Sequence, residues 1–420
     1  MNPTQSKTAP NPWIWFLLAL LGTAYLNFFL SRANILHWDE MYYVNAARAY
    51  LSTAKPYPIP DHPPLGKEII AVGIALFGDN PFGWRFFSTV FGGISFALLS
   101  YFIFRLTRRS GVAFFVWVLM LIDPIFFVHF RMGLLDPPLT CLLILATFLT
   151  DRFYRSSELK AWLPPLIATA LGLATATKLL GIVFIPVLGI FLLIRIWRSP
   201  RPVAWTLYLL ACSLLIPVCF AVTYALLGYT LAETWDLTKY IFAWHQFAGS
   251  DPLLTSRWYE WLFIKNPVMY FYKRLGNDEW QTVIGTGNFV LWIAAELGAL
   301  YAMIRLYRRP ETWLFAGLIA IQFFLYSRKP ATYIHYMTEI MPYFYLLLGM
   351  SLGDLWDRYG AKNRRILQID LGILTAAALA VFINYWPFIT GGTINTQQWS
   401  KISGRSAPTV AMPSEASPNK

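Results

Sequence analysis

Runs of apolar residues recur along the chain between short polar or basic stretches, and that spacing sets the architecture before any motif is considered. A helix crosses the hydrocarbon core of a bilayer in about 20 residues. Eleven intervals approach that length: 13–30, 84–104, 111–130, 134–150, 162–177, 180–197, 203–228, 287–304, 312–327, 333–353 and 366–388. The pattern predicts an all-α polytopic membrane protein whose transmembrane unit covers residues 13–390. Two intervening stretches, 31–83 and 229–286, are long and are expected as loops on one face. Residues 1–12 form a short polar tail, and 391–420, rich in Ser, Pro and Thr, a disordered one. The first run has a single Lys before it and no small-residue cleavage site after it, so it is expected to be an uncleaved anchor.

Composition closes off other classes. Of 420 residues, 57% are hydrophobic and only 13% charged, against about 25% charged in a soluble domain. Too few charges remain to face water, which excludes a soluble enzyme and a disordered protein. The formal net charge of +12 does not indicate nucleic acid, because the excess comes in short clusters between apolar runs. These are Arg105, Arg108 and Arg109; Arg152, Arg155 and Lys160; Arg195, Arg198 and Arg201; Arg305, Arg308 and Arg309; and Arg358, Lys362, Arg364 and Arg365. An N-terminus in the cytoplasm puts all five clusters on the cytoplasmic side, as the positive-inside rule requires. Cys141, Cys212 and Cys219 fall inside apolar runs, so neither a disulfide framework nor a thiolate metal site is expected.

That topology sorts the chemistry to the other face. All five histidines (His37, His62, His129, His245, His335) and most acidic residues, Asp251 among them, fall in outer loops or at outer helix ends. His37-Trp38-Asp39-Glu40 follows the first span, and each of its adjacent carboxylates raises the pKa of the other. Taken alone it could be a solvated loop start; with the rest it reads as a general base or metal ligand. Asp61-His62-Pro63-Pro64-Leu65-Gly66-Lys67-Glu68 is a stiffened loop presenting His and a Lys suited to phosphate. Arg131 and Asp136 are expected to face each other across a tight turn, where a structural ion pair is the plainer account. Lys178 stands at another outer turn, Arg257 and Lys265 in an aromatic-rich stretch, and Arg328-Lys329 shortly before His335-Tyr336. Many cations around one acidic pair suit an anionic, lipid-linked substrate.

These motifs also carry a resemblance. Asp39-Glu40, His62-Pro-Pro-Leu-Gly-Lys67, Arg85, Arg131-x-x-Leu-Leu-Asp136, Ala-Thr-Lys178, Ser256-Arg257-Trp258, Asn266-Pro267-Val268 and His335-Tyr336-x-x-x-x-Pro342 come in the order seen in protein O-mannosyltransferases. The chain resembles that family over roughly 13–390. The resemblance implies the GT-C glycosyltransferase fold and transfer of a sugar, mannose or another hexose, from a polyprenyl-phosphate carrier to an acceptor hydroxyl outside the cytoplasm. Asp39 becomes the catalytic base and Glu40 its catalytic neighbour. Lys67, Arg131, Lys178 and Arg257 bind the donor phosphate, and His62, Asp136, Arg328 and His335 support the site. No cofactor is required, since a monophosphate leaving group relaxes the need for a metal. A divalent metal on His62, Asp39 and Glu40 stays open as an alternative. Implied partners are the polyprenyl-phosphate sugar, an acceptor protein or envelope glycan or lipid, membrane lipids and, as eukaryotic members often pair, a second copy in a dimer; nucleic acid is not among them.

Two departures bear on the acceptor. Eukaryotic members carry a large soluble domain in the loop before the eighth span, which is short here, so a bacterial plasma membrane with the site facing outwards is expected. The aminoarabinose transferases that modify lipid A share the fold and the acidic first loop but carry a soluble C-terminal domain that the tail cannot supply. Transport is the rival activity. The mid-span ionisable residues Asp123, Glu296 and Asp370 have no obvious charged partner and no repeat relates the halves, which favours surface chemistry.

Overall fold

The computed structural model describes residues 11–28, 36–53, 55, 61–247, 255–276, 278–329, 332–359 and 361–403. The N-terminal tail before residue 11, Asp251, the side chain of His245 and the tail beyond 403 lie outside the described residues.

Helices occupy all eleven apolar intervals. They begin with α1 (Pro12–Asn27), α4 (Pro81–Thr107), α5 (Ser110–Leu121), α6 (Pro124–His129), α7 (Asp136–Tyr154), α8 (Leu163–Thr177) and α9 (Leu180–Trp197). The second half contributes α10 (Pro202–Ser213), α11 (Leu215–Leu226), α13 (Phe289–Arg305), α14 (Pro310–Ser327), α15 (Met337–Arg358) and α16 (Ala361–Ile389). Among the described residues, four stretches are long and apolar enough to cross a membrane by length and composition: Pro81–Thr107, Leu180–Trp197, Pro202–Leu226 and Asn363–Ile389. α15 is of another kind. It is buried continuously from Met337 to Gly353, packed by α4, α7, α13 and α14, and forms the axis of the bundle.

Two expected spans are broken, each by a proline. Pro124 lacks an N–H and disfavours helix at the residue before it, so 111–130 divides into α5 and α6 with Asp123 between them. The Asp123 side chain caps α6 and accepts hydrogen bonds from Trp292 Nε1 (2.9 Å) and Tyr345 Oη (2.8 Å). Asp123 therefore has neutral donors as partners and stitches α13 and α15 to the kink. Pro217 removes the bond to the carbonyl of Ser213, where α10 gives way to α11.

The two outer stretches are not plain loops. The first carries α2 (Glu40–Ser52) and α3 (Leu65–Phe77), and the second α12 (Leu231–Phe247) and strands β1 (Val268–Arg274) and β2 (Glu279–Gly285). Residues read as the start of the tail form β3 (Thr393–Asn395) and α17 (Thr396–Ser403). The order is β1-β2-β3, antiparallel throughout, so the mostly helical chain also holds a small sheet that the apolar pattern did not foresee.

Small residues let α1 lie close on α4. A Cβ at Gly93 would stand 2.6 Å from the carbonyl oxygen of Ala19 and 2.7 Å from the Thr23 nitrogen, so only glycine allows this approach. Gly93→Leu is expected to cost about 1–3 kcal/mol, the usual penalty of overpacking. A clear drop in the unfolding midpoint in detergent would show it; an unchanged midpoint would mean that α1 is free to move away.

Candidate active site

The polar outer ends of α2, α3, α4, α7, α8 and α15 converge with β1. Their arrangement starts from one buried ion pair. Arg85, in the first turns of α4, donates from Nε to Glu40 Oε1 at 2.6 Å and from Nη2 to Oε2 at 2.7 Å. Oε1 also accepts the Gly133 N–H (2.6 Å), and Oε2 the His37 N–H (3.0 Å). Burial would raise the pKa of Glu40, but Arg85 and these hydrogen bonds hold it below the usual carboxylate range. Glu40 is thus a fixed anion with both oxygens engaged. It ties α2, α4 and the turn at Gly133 together rather than standing free to take a proton.

The neighbouring carboxylate is different. Trp38, with φ of 47°, takes the left-handed conformation rare for a bulky residue, and the turn it makes brings Asp39 to the head of α2. Asp39 is half-buried and accepts one long hydrogen bond, from Tyr43 Oη at 3.4 Å. Burial pushes its pKa up to about 7; Asp136 and Asp61 push the same way and Lys178 opposes. A carboxylate poised near neutrality is suited to general base work.

Asp136 does not face Arg131, contrary to the expected turn pair. It bonds Lys178 Nζ at 3.0 Å and the carboxyl group of Glu339 at the head of α15. Burial would lower the pKa of Lys178, but Asp136 and Glu339 hold it above the ordinary value, so the lysine stays charged. Arg131 turns the other way. Its guanidinium donates to the carbonyl oxygens of Leu26 (2.9 Å) and Phe28 (2.8 Å) and lies over Phe127, tying down the end of α1. That geometry explains the arginine as a helix-end clamp.

Lys67 is also engaged: buried, it donates to Asp61 Oδ1 at 2.5 Å and to the His62 carbonyl at 3.0 Å. The Asp61–Lys67 pair holds the Pro63-Pro64 turn closed and sets the His62 ring 6.1 Å from that of Tyr43. Arg257 is exposed and bonds Tyr259 Oη at 2.8 Å. Arg328 is exposed over the Phe324 ring, while the next residue, Lys329, is drawn in beside the stacked Tyr326 and Tyr336 rings, 5.7 Å from each. Burial and the nearby Lys178 lower the pKa of Lys329. Lys329 and Arg257 line one cavity of about 420 Å³.

His335 belongs to a ring cluster with Tyr270 and His129. Tyr270 Oη lies 2.5 Å from His129 Nε2, and the two imidazoles are 5.6 Å apart. Tyr270 reaches them because β1 bulges there: Met269 pairs with Ile284 and Phe271 with Val283, leaving Tyr270 as the extra residue. Its ring fills the space a side chain at Gly285 would need, with a Cβ there only 2.5 Å away.

The structure therefore gathers Asp39, Asp136, Lys178 and His335, with His62 alongside, and leaves Arg131, Arg257 and Arg328 at the edges. It adds Arg85, Asp61, His129, Tyr270, Lys329 and Glu339. Among the described residues no three His, Cys, Asp or Glu side chains gather as a metal ligand set. Glu40 is already committed to Arg85.

Arg85→Met would strand the Glu40 charge in the interior, at an expected cost of about 3–5 kcal/mol. Arg328→Met, on an exposed side chain, should stay within about 0.5 kcal/mol. Thermal unfolding of both variants in detergent tests the contrast, and equal midpoints would mean that Glu40 is not the anchor.

Comparisons with known proteins concern the chain and its fold. Residues 61–221 match the family model of dolichyl-phosphate-mannose-protein mannosyltransferases. A polyprenol-phosphate-mannose–protein mannosyltransferase of Mycobacterium tuberculosis is 25% identical, with 91% of this chain and 89% of the relative aligned. Among solved structures, the Saccharomyces cerevisiae protein O-mannosyltransferase Pmt1–Pmt2 complex bound to the sugar donor superposes with a TM-score of 0.79 at 11% identity, over 95% of this chain and 92% of that one. ArnT from Cupriavidus metallidurans bound to undecaprenyl phosphate gives 0.63 at 18% identity, over 88% and 64%. The chain is an integral membrane protein of the GT-C fold, and in sequence it is similar to the protein mannosyltransferases along nearly its whole length.

Proposed function

We propose that the protein is a glycosyltransferase that moves mannose or a related hexose from a polyprenyl-phosphate carrier to a hydroxyl group, with protein Ser or Thr as the acceptor class. The observation that carries this reading is the half-buried Asp39 carboxyl, poised near pH 7 beside the fixed Glu40–Arg85 pair and in the field of Lys178. The printed names of the relatives support the donor and acceptor classes, and the undecaprenyl phosphate bound by ArnT supports a polyprenyl carrier. The aminoarabinose-transferase alternative has less support, since the curated relative aligned along nearly the whole chain is named as a protein mannosyltransferase. Transport has less still, because Asp123 is satisfied by Trp292 and Tyr345.

The chemistry is a single displacement with inversion. Asp39 takes the proton from the acceptor hydroxyl, whose oxygen attacks the anomeric carbon. The bond from that carbon to the phosphate oxygen breaks, and the phosphate leaves with the electron pair. Lys178 faces the developing negative charge, with Lys329 and Arg257, which line a cavity together, in place of Lys67 and Arg131. Glu40 is a positioning residue. A monophosphate leaving group needs no general acid. With the basic clusters in the cytoplasm, the site faces outwards from a bacterial plasma membrane.

Asp39→Asn should lower transfer from a labelled polyprenyl-phosphate hexose in proteoliposomes by about 100- to 10,000-fold, the range of general base contributions. Turnover close to wild type would sink the assignment. The base acts when deprotonated, and its pKa in the folded protein is raised to about 7 by burial. The wild-type rate should therefore climb with pH through about 7 and level off above it. A rate already flat from pH 5 to 8 would mean that another group takes the proton.

A further inference from the structure

The opposite end of the bundle carries a second arrangement of charge and apolar surface. Arg85 stands near the start of α4 and Arg108 caps its other end, some 35 Å apart at about 1.5 Å per residue, which is close to the thickness of a bilayer's hydrocarbon core. Two grooves open at the Arg108 end. The larger, of about 790 Å³, runs between the start of α5, the end of α15 and α16. Phe115, Leu352, Leu367 and Leu371 line its wall, and Arg108, Arg109 and Ser110 its mouth. The smaller, of about 410 Å³, runs between α1 and α4 past Trp15 and Tyr101, with Arg105 and Arg108 at its mouth. Arg108 borders both.

Arg109 is paired with Asp357, the one carboxylate bonded there. The Arg108 backbone N–H bonds the Phe104 carbonyl, while its guanidinium has no hydrogen-bond or ion-pair partner among the described residues. The first turn of α5 adds to this lining, since no side chain caps its N–H groups and Ser110 and Gly111 are exposed at its positive dipole end. Gly372 opens onto the larger groove, and a Cβ there would meet nothing within 4 Å.

We propose that the paired grooves bind one anionic glycerophospholipid, an acyl chain in each and the phosphate on Arg108 and the exposed N–H groups of α5. Charge complementarity selects this occupant. A second copy docking through the same face would bring one basic rim against another, whereas a lipid phosphate neutralises it. Two apolar grooves meeting at one cation match two acyl chains meeting at one phosphate. By the basic-cluster topology the lipid belongs to the cytoplasmic leaflet, where anionic headgroups are drawn to arginine-rich ends.

The test uses the full-length protein purified from membranes. Native mass spectrometry counts retained lipids, and thermal unfolding is followed after adding phosphatidylglycerol, phosphatidylcholine or inorganic phosphate. Phosphatidylglycerol should be retained at one molecule per chain and raise the unfolding midpoint, while phosphatidylcholine and inorganic phosphate should not. Arg108→Ala should weaken phosphatidylglycerol binding about fivefold, the effect of one basic residue near an anionic surface. Gly372→Trp, which fills the groove without disturbing a packed neighbour, should abolish retention while the protein still elutes as a folded species. Equal effects of the two lipids would overturn the proposal. So would undiminished retention in Gly372→Trp, or loss of a dimer in that variant with no change in bound lipid.

Discussion

The Arg85–Glu40 ion pair is the interaction on which the outer end of this protein depends. Two charges removed from water are costly to hold, and such a pair persists only when geometry and further hydrogen bonds satisfy it. Here both carboxylate oxygens are engaged twice, by the guanidinium and by backbone N–H groups from two different segments. One side chain thereby fixes the start of α2, the start of α4 and the turn before α7. Asp39 is oriented because its neighbour cannot move.

The same economy governs the other polar groups near the membrane. Asp136 and Lys178 neutralise each other at the heads of packed helices, and Glu339 joins them from the axial helix. Arg131 satisfies the last carbonyls of α1. Asp123 fills a gap in the helical hydrogen bonding that its own proline creates, using Trp292 and Tyr345 from the far half of the chain. In a bilayer an unpaired backbone or side-chain polar group costs several kcal/mol, which is the physical reason for these pairings. Lys329 and Arg257 line one cavity, and Arg108 at the opposite end of the bundle is exposed.

Much of this was legible in the chain. Apolar run length gave the helices, because crossing hydrocarbon leaves the backbone no other way to satisfy itself. The Asp39-Glu40 pair and the His62-to-Lys67 loop stood out because rigid, charged segments are unusual at a membrane face. Roles within that set were not legible. Adjacent in sequence, Asp39 and Glu40 look equivalent, yet one is committed to Arg85 and the other is not. Arg131 and Asp136 look like partners five residues apart, yet each bonds something distant. Tyr270 was hidden in a stretch read as loop. An aromatic run followed by Gly276-Asn277-Asp278 and a second run at Trp280 was a hairpin signal, but nothing local marks the bulge that turns Tyr270 towards His129.

What the sequence alone determined is the solvent this protein lives in and the helices that meet it. Those follow from composition and spacing, which act locally and add up along the chain. The tertiary structure decided which charges cancel and which stay available. A buried ion pair or hydrogen bond depends on distances of about 3 Å between residues far apart in the chain: Glu40 and Arg85, Asp136 and Lys178, His129 and Tyr270. Only the packed bundle sets those distances, and with them the difference between a residue that holds the site together and one that works in it.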